Sequence, residues 1–486
     1  MSFYEISDKI LNEVFTENGD KAFRSTGSFC LDYFSLVGGL RFNLKTSVNL
    51  FLKSYYEDPI LTIKILFYTR DIRGGLGERD LFRCAFNLIA NMYPNVAVQL
   101  IKFIPEYGRY DDLLVCLDSP ICAEVVAYIK DQLEKDVEAK KNNQPISLLA
   151  KWLPSVNTSS NQTRILASKL AALLGLTKEK YRKMLSFLRK GLIIENNLRE
   201  KDYSFNYEQV TSGAMFKYRY AFLRNDEKRY KKYLEELSKG NVKINTNTLY
   251  PYQVIRTLEK NYNISVEERA SLDAIWKNFD RSTFATNSIV VRDGSGSMYD
   301  GNAVSASSVA TSLAILLAEQ LTGVFKDTFI TFSSKPQIIK LKGETIYEKY
   351  KFISTYDDYS NTNIEKVYRL ILNVYKHKDF TKEDSLDKII IISDMEFDCL
   401  SGGNSSTFEF FSNEFEKLGY KMPTLVFWNV RSRAVHFPTT NKNGVILVSG
   451  ASSKIIDMVM NIDSFDSYQF MLKTLQKYDC FNEIKI

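Results

Sequence analysis

Histidine is nearly absent from this 486-residue chain, with only His377 and His436, so chemistry that needs several imidazoles is not expected. Six cysteines, Cys30, Cys84, Cys116, Cys122, Cys399 and Cys480, are scattered without a CxxC pair, which excludes a zinc knuckle or a thioredoxin-type couple built from local spacing. They read as reduced, mostly buried thiols of a cytosolic protein. Tryptophan is scarce, at 3 residues. No apolar run approaches the roughly 18 residues of a spanning helix. The opening MSFYEISDKI has no basic segment followed by an apolar one, so neither membrane insertion nor secretion is expected.

What is present is a heavy aromatic load, 29 Tyr and 32 Phe, on a globular-average background of 45% hydrophobic and 25% charged residues. At roughly 100–200 residues per domain, the length calls for more than one domain. Charge is uneven. Residues 1–140 hold 16 Lys/Arg against 20 Asp/Glu and residues 261–486 hold 25 against 28, whereas residues 141–260 hold 23 against 10. Within that basic quarter, KEKYRKMLSFLRKGL spaces Tyr181, Met184, Leu185, Leu188 and Leu192 for one apolar helix face, leaving Arg182, Lys183, Arg189 and Lys190 on the other. Farther on, KYRYAFLRNDEKRYKKYLEEL interleaves Lys217, Arg219, Arg224, Lys228 and Arg229 with Tyr218, Tyr220, Phe222, Tyr230 and Tyr233. Cations neutralise phosphates and rings stack on bases, so this composition suits RNA or another single-stranded nucleic acid. It equally suits a solvated helix in which Lys231 and Lys232 meet Glu235 and Glu236 at i+4.

Up to about residue 280 apolar residues recur every three or four positions, the pattern of stacked helical hairpins. From residue 286 short β-branched runs alternate with helices: IVVRD, FITFSS, QIIKL, KIIIISDM, TLVFWNV and VILVSG. Fully apolar strands alternating with helices imply an open, doubly wound sheet whose ligands bind beyond the carboxyl ends of the strands. The expected division is an all-α part over residues 1–282 and an α/β part over 283–486 that ends in a helical tail.

Three polar loops fall at such strand ends. Asp293-Gly294-Ser295-Gly296-Ser297 follows the first strand, Asp394 follows the long strand from 388, and Thr362 lies in YDDYSNTNIEK between them. A hard cation such as Mg²⁺ or Mn²⁺ takes this kind of hydroxyl and carboxylate set. The D-x-S-x-S loop with a later Thr and Asp resembles the metal-ion-dependent adhesion site of von Willebrand factor A domains, over about residues 286–462. That resemblance implies that Ser295, Ser297 and Thr362 contact the metal and that Asp293 and Asp394 act directly or through water. It leaves a coordination position for an acidic group of a protein partner. Arg292, where an apolar residue is usual, and Asn363, where Asp is common, depart from the pattern. Glu396 and Asp398 in SDMEFD are expected to orient the loop or face solvent, since no imidazole or nucleophile is near in sequence.

The helical part ahead of such a domain resembles the TROVE-module proteins, the Ro ribonucleoprotein autoantigens, whose HEAT-like repeats form an RNA-binding ring. RDIRGGLGERDLF, FIPEYGRYDDLL, AKWLPSVNTSS, SDMEF and VFWNVRSR are similar to a TROVE-related family of unknown function in plants, bacteria and large DNA viruses. No Ro-type RNA contact can be carried over residue by residue. GGLGERD lacks the Lys-Ser/Thr of a P-loop and reads as a tight inter-helix turn, and GRYDD reads as an ion-pair and capping cluster. No catalytic template fits.

The function expected is a non-catalytic ribonucleoprotein-type scaffold. Its RNA partner, a small structured RNA, would meet Arg182, Lys183, Arg189, Lys190, Lys217 and Arg219, and a metal-dependent A domain would bind protein. The rival is a purely protein-binding, virion-associated scaffold, and last comes a hydrolase using Asp293, Asp394 and Glu396.

Overall fold

The structure, a computed structural model, describes residues 11–16, 21–244, 246, 248–261, 263–284, 286–299, 304–358, 362–396, 407–461, 463 and 466–486, with backbone alone at 21 and 407–409. Asp398 and Cys399 lie outside the described residues.

From Phe29–Leu36 to Val266–Lys277 the described elements are all helices. Their starts are written locally. Ser28, Asn43, Asp58, Ser160, Thr177 and Ser265 each accept, through the side chain, the backbone N–H three residues on. Pro59 adds its fixed φ at the first helical position after Asp58. The GGLGERD turn is as tight as expected: a Cβ on Gly75 would lie 2.1 Å from the Tyr68 carbonyl oxygen, so only glycine fits. Two short strands precede the helices, β1 (Glu13–Phe15) and β2 (Lys21–Phe23), paired antiparallel. At three residues each they are too short to show alternation in the sequence.

The second half forms a six-stranded sheet in the order β5-β4-β3-β6-β7-β8. Its strands are β3 (Ser288–Asp293), β4 (Thr328–Phe332), β5 (Ile338–Lys340), β6 (Lys388–Ser393), β7 (Thr424–Asn429) and β8 (Val445–Ser449). All pairs are parallel except β4–β5 at one edge. Every residue of β3, β4, β6 and β8 is buried, which explains their mostly apolar centres. The wholly buried helix Ala306–Ala318 packs on β3, β4 and β6. After β3 the chain winds to β4 on one side and later returns to β6 on the other. The crevice between the carboxyl ends of β3 and β6 is therefore the topological switch point, where such sheets bind ligands.

The two parts are closely joined. Helix Phe29–Leu36 packs against β8, and Gly38 N–H donates to Ser449 Oγ at 2.9 Å. Helix Pro251–Lys260 lies along Ala306–Ala318, and Trp276 Nε1 donates to Glu319 Oε2 at 3.0 Å. Phe23 pairs its backbone with Phe437. The C-terminal tail returns to helix Pro59–Arg70: the rings of Phe481 and Phe67 lie 4.3 Å apart, and Tyr478 donates to Asp71 Oδ2 at 3.0 Å. Among the described residues no helix is long and apolar enough to cross a membrane.

Candidate metal centre

β3 ends at Asp293, inside the switch-point crevice. Its Oδ1 accepts Ser295 N–H at 2.9 Å, folding Asp293-Gly294-Ser295 into an Asx turn, while Oδ2 accepts the Ser393 hydroxyl from the end of β6 at 2.5 Å. The turn brings Ser295 Oγ to 3.0 Å from Ser297 Oγ. Gly294 and Gly296 are not left-handed; the backbone oddity falls across the crevice instead, where buried Met395 holds φ at +67°. A non-glycine residue held there costs on the order of 1–3 kcal/mol, and such strain clusters at functional sites. It follows directly on Asp394, whose Oδ1 accepts Glu396 N–H at 3.4 Å. Thr362 Oγ1 donates to the Glu396 carbonyl oxygen at 3.3 Å, attaching the third loop to the same turn. Asp293, Ser295, Ser297 and Asp394 thus meet in one place, and Thr362 joins through the Glu396 backbone.

Burial dominates the electrostatics of the site. Burial, followed by the nearby Asp293 charge, pushes Asp394 up to about 6 against the opposing pull of the Ser297 hydroxyl, Arg433 and Glu396 N–H. Burial likewise raises Asp293, despite its bonds from Ser393 and Ser295. Asp394 Oδ2 is buried with no hydrogen-bond partner. The nearest cation to it is Arg433, whose Nε stands 3.6 Å away and whose Nη2 donates to the Ser297 carbonyl oxygen at 2.8 Å. Two carboxylates, one of them with an oxygen that accepts no hydrogen bond, and three hydroxyls are hard oxygen donors, so the residues present fit Mg²⁺ or Mn²⁺. Among the described residues no group of three or more His, Cys, Asp and Glu could hold a metal, so a softer ion has no comparable set.

The two departures from the A-domain pattern are both structural. Arg292 is buried, with Nε on Thr311 Oγ1 at 3.2 Å and Nη2 paired to Asp357. Asn363 caps helix Ile364–Tyr375 by accepting Lys366 N–H at 3.0 Å. Of the two expectations for Glu396, facing solvent is corrected: it is buried, its backbone ties the Asp394 and Thr362 loops together, and His436 Nε2 lies 2.9 Å from its Oε1. His436 Nδ1 is itself buried without a partner. Forty residues separate the pair, so sequence spacing carried no signal of it.

The expected RNA contacts divide. Arg182, Lys183, Lys190 and Lys217 are exposed. Lys183 pairs with Glu179 at 2.7 Å. Arg189 turns inward and donates to Ala150 O, Leu153 O and Ser155 Oγ at 2.5–2.7 Å, and burial lowers its pKa. Arg219 is also buried, 3.2 Å from Glu268 Oε1. Arg219 cannot meet a strand at the surface, and half-buried Arg189 has left the outer face where the helical wheel put it. Phe222, Tyr230 and Tyr233 are core residues packed around Tyr207, not stacking platforms. Lys231 pairs with Glu227 at 2.8 Å and reaches Glu267 at 3.5 Å, one turn the other way from Glu235. The GRYDD cluster is an ion-pair network as expected: Asp112 takes Arg70 and Arg83, and Asp111 takes Arg83 and Arg109, all within 2.8 Å.

Comparison with known proteins gives the following. Residues 16–112 and 121–282 match a domain of unknown function, DUF2828, and residues 287–483 match another, DUF7788. An uncharacterized protein of Acanthamoeba polyphaga mimivirus is 31% identical over 513 aligned residues, covering 96% of this chain and 88% of that protein. The crystal structure of the Deinococcus radiodurans Ro (RSR) protein aligns over 93% of this chain and 100% of its own. The identity is 11% and the TM-score 0.36, too distant a likeness to argue from.

Proposed function

The chain belongs to the DUF2828 family, and from that membership, which assigns no activity, we propose that it is a non-catalytic, metal-dependent binding scaffold. Residues 283–486 act as a von Willebrand factor A-type domain, and residues 1–282 as a HEAT-like helical part. The observation that carries this reading is the buried oxygen set at the β3/β6 switch point, with Asp394 Oδ2 accepting no hydrogen bond. Ser295, Ser297 and Thr362 would hold Mg²⁺ or Mn²⁺, with Asp293 and Asp394 directly or through water. When bound, the metal supplies a positive anchor for an acidic group on a protein partner. The chain's own residues hold the loops in place: Ser393 fixes Asp293, the Glu396 backbone joins Asp394 to Thr362, and Arg433 holds the Ser297 carbonyl.

The helical part is proposed to bind small structured RNA through Arg182, Lys183, Lys190 and Lys217, in the quarter of the chain with 23 cations against 10 carboxylates. The inward turn of Arg189 and Arg219 favours the second reading, a purely protein-binding scaffold, because it removes two of six expected cations from the exposed basic face. Calorimetric titration with Mn²⁺ tests the first part, expecting one site in the wild type and none in Asp293→Ala. Absorbance at 260 nm in the purified protein tests the second. Undiminished metal binding by the variant would refute the metal site, and protein free of nucleic acid and inert toward small RNAs would leave the protein-binding reading alone.

A further inference from the structure

Away from the sheet, a cleft of about 510 Å³ opens between the 3₁₀ turn Tyr110–Cys116 and helices Leu149–Trp152, Asn161–Leu173 and Lys178–Arg189. That size suits a small molecule. Its wall is formed by the AKWLPSVNTSS segment, which the metal centre leaves unused.

Three features give the cleft its chemistry. The first is charge. Of the charged residues lining the cleft, Arg83 and Asp111 pair with each other at 2.8 Å, and Lys151 and Arg189 add two further cations. Arg189 is anchored only by two carbonyl oxygens and a hydroxyl, so no described carboxylate neutralises it. Half-buried positive charge held by neutral acceptors is what an anionic ligand complements. The second is a ring. Trp152 is half-buried in the lining, and the Arg109 guanidinium, which does not line the cleft, lies 3.9 Å from its centroid and holds it in place. The third is a set of hydroxyls. Ser155 accepts from Arg189 and keeps its own proton to donate, and Thr158 Oγ1 and Lys151 Nζ make no hydrogen bond to a described residue. The amino end of helix Asn161–Leu173 brings Thr163 to the same wall.

We propose that this cleft binds a nucleoside phosphate, its base against Trp152 and its phosphate between Lys151, Arg189 and Thr158. A plain phosphate would use the cations and leave the ring idle, and a neutral aromatic would leave Lys151 and Arg189 without an anion. The same chemistry is offered by a free mononucleotide and by the terminal nucleotide of an RNA. This site is separate from the metal centre and does not depend on it.

Tryptophan emission reads the cleft in the intact protein, because Trp276 and Trp428 are each only 1% exposed. AMP is expected to quench emission saturably. Adenosine, lacking the phosphate, and ribose 5-phosphate, lacking the base, are each expected to bind about tenfold or more weakly. Lys151→Glu should weaken AMP by a similar factor at unchanged Tm, and Trp152→Phe should abolish the quench while calorimetry still detects weaker binding. Competition by a 5′-phosphorylated oligoribonucleotide but not its 5′-hydroxyl form would assign the cleft to RNA ends, and no competition by either would assign it to free nucleotide. Absence of saturable AMP binding in calorimetry, or equal affinity for AMP and ribose 5-phosphate, would overturn the proposal. Charge reversal at Arg182, Lys183, Lys190 and Lys217 leaves AMP binding unchanged, so failure of the cleft and failure of the RNA surface are seen separately.

Discussion

Asp394→Asn should make the metal-free protein more stable at neutral pH and remove its response to metal. In the folded protein this carboxyl is pushed from an ordinary 3.8 to about 6 by burial and by Asp293. Between those values the native state binds more protons than the unfolded chain, so the stability is fully present below about pH 4 and is lost as pH rises through about 6. The shift of about two pH units corresponds to about 3 kcal/mol of cost once Asp394 is ionised. Asparagine keeps the shape and removes the charge, so in EDTA at pH 7.5 the variant should exceed the wild type by up to that amount, and at pH 4 the two should converge. Saturating Mg²⁺ reverses the comparison: at a hundredfold excess over Kd the wild type gains about 2.7 kcal/mol and the variant nothing. Denaturant unfolding at the two pH values, with and without Mg²⁺, reads all four numbers. A variant no more stable than the wild type in EDTA at pH 7.5 would refute the electrostatic argument. A variant that keeps the full Mg²⁺ gain would refute the ligand assignment.

Three further outcomes are expected. Glu substitutions at Arg182, Lys183, Lys190 and Lys217 should lower the slope of log K against log salt for RNA by about 0.7–0.9 per lost contact, as read by filter binding, whereas Arg189→Glu should lower Tm by breaking its bonds to Ala150, Leu153 and Ser155. Glu268→Ala leaves the Arg219 guanidinium buried without its carboxylate and should cost about 3–5 kcal/mol in urea unfolding. Gly38→Ala would place a Cβ 2.4 Å from the Ser449 carbonyl oxygen, where the helical part meets β8. It should cost at least about 1–3 kcal/mol, seen as a lowered Tm with the near-ultraviolet spectrum perturbed.

The strands were legible because burial on both faces leaves runs such as Lys388–Ser393 almost wholly apolar. The Asp293 loop was legible because its turn is closed by bonds two residues apart. What stayed hidden depends on distant partners. Arg189 occupies the last position of its helix, where the carbonyls of Ala150 and Leu153 capture it, so it alone leaves the stripe that Arg182, Lys183 and Lys190 keep. Arg219 looks like its exposed neighbour Lys217 until Glu268, 49 residues on, is folded against it. His436 and Arg433 reach the metal centre from the loop after β7, in a segment whose spacing encodes nothing about Glu396 or Ser297.

The most direct measurement is an anomalous difference map from crystals of the full chain grown with Mn²⁺. One strong peak is expected at the carboxyl ends of β3 and β6, about 2.1 Å from Ser295 Oγ and Ser297 Oγ, with Thr362 Oγ1 and Asp394 Oδ2 in the same shell. A map with no peak there at saturating Mn²⁺, or with the Arg433 guanidinium still seated against Asp394 and Ser297 while the ion binds elsewhere, would contradict the metal site.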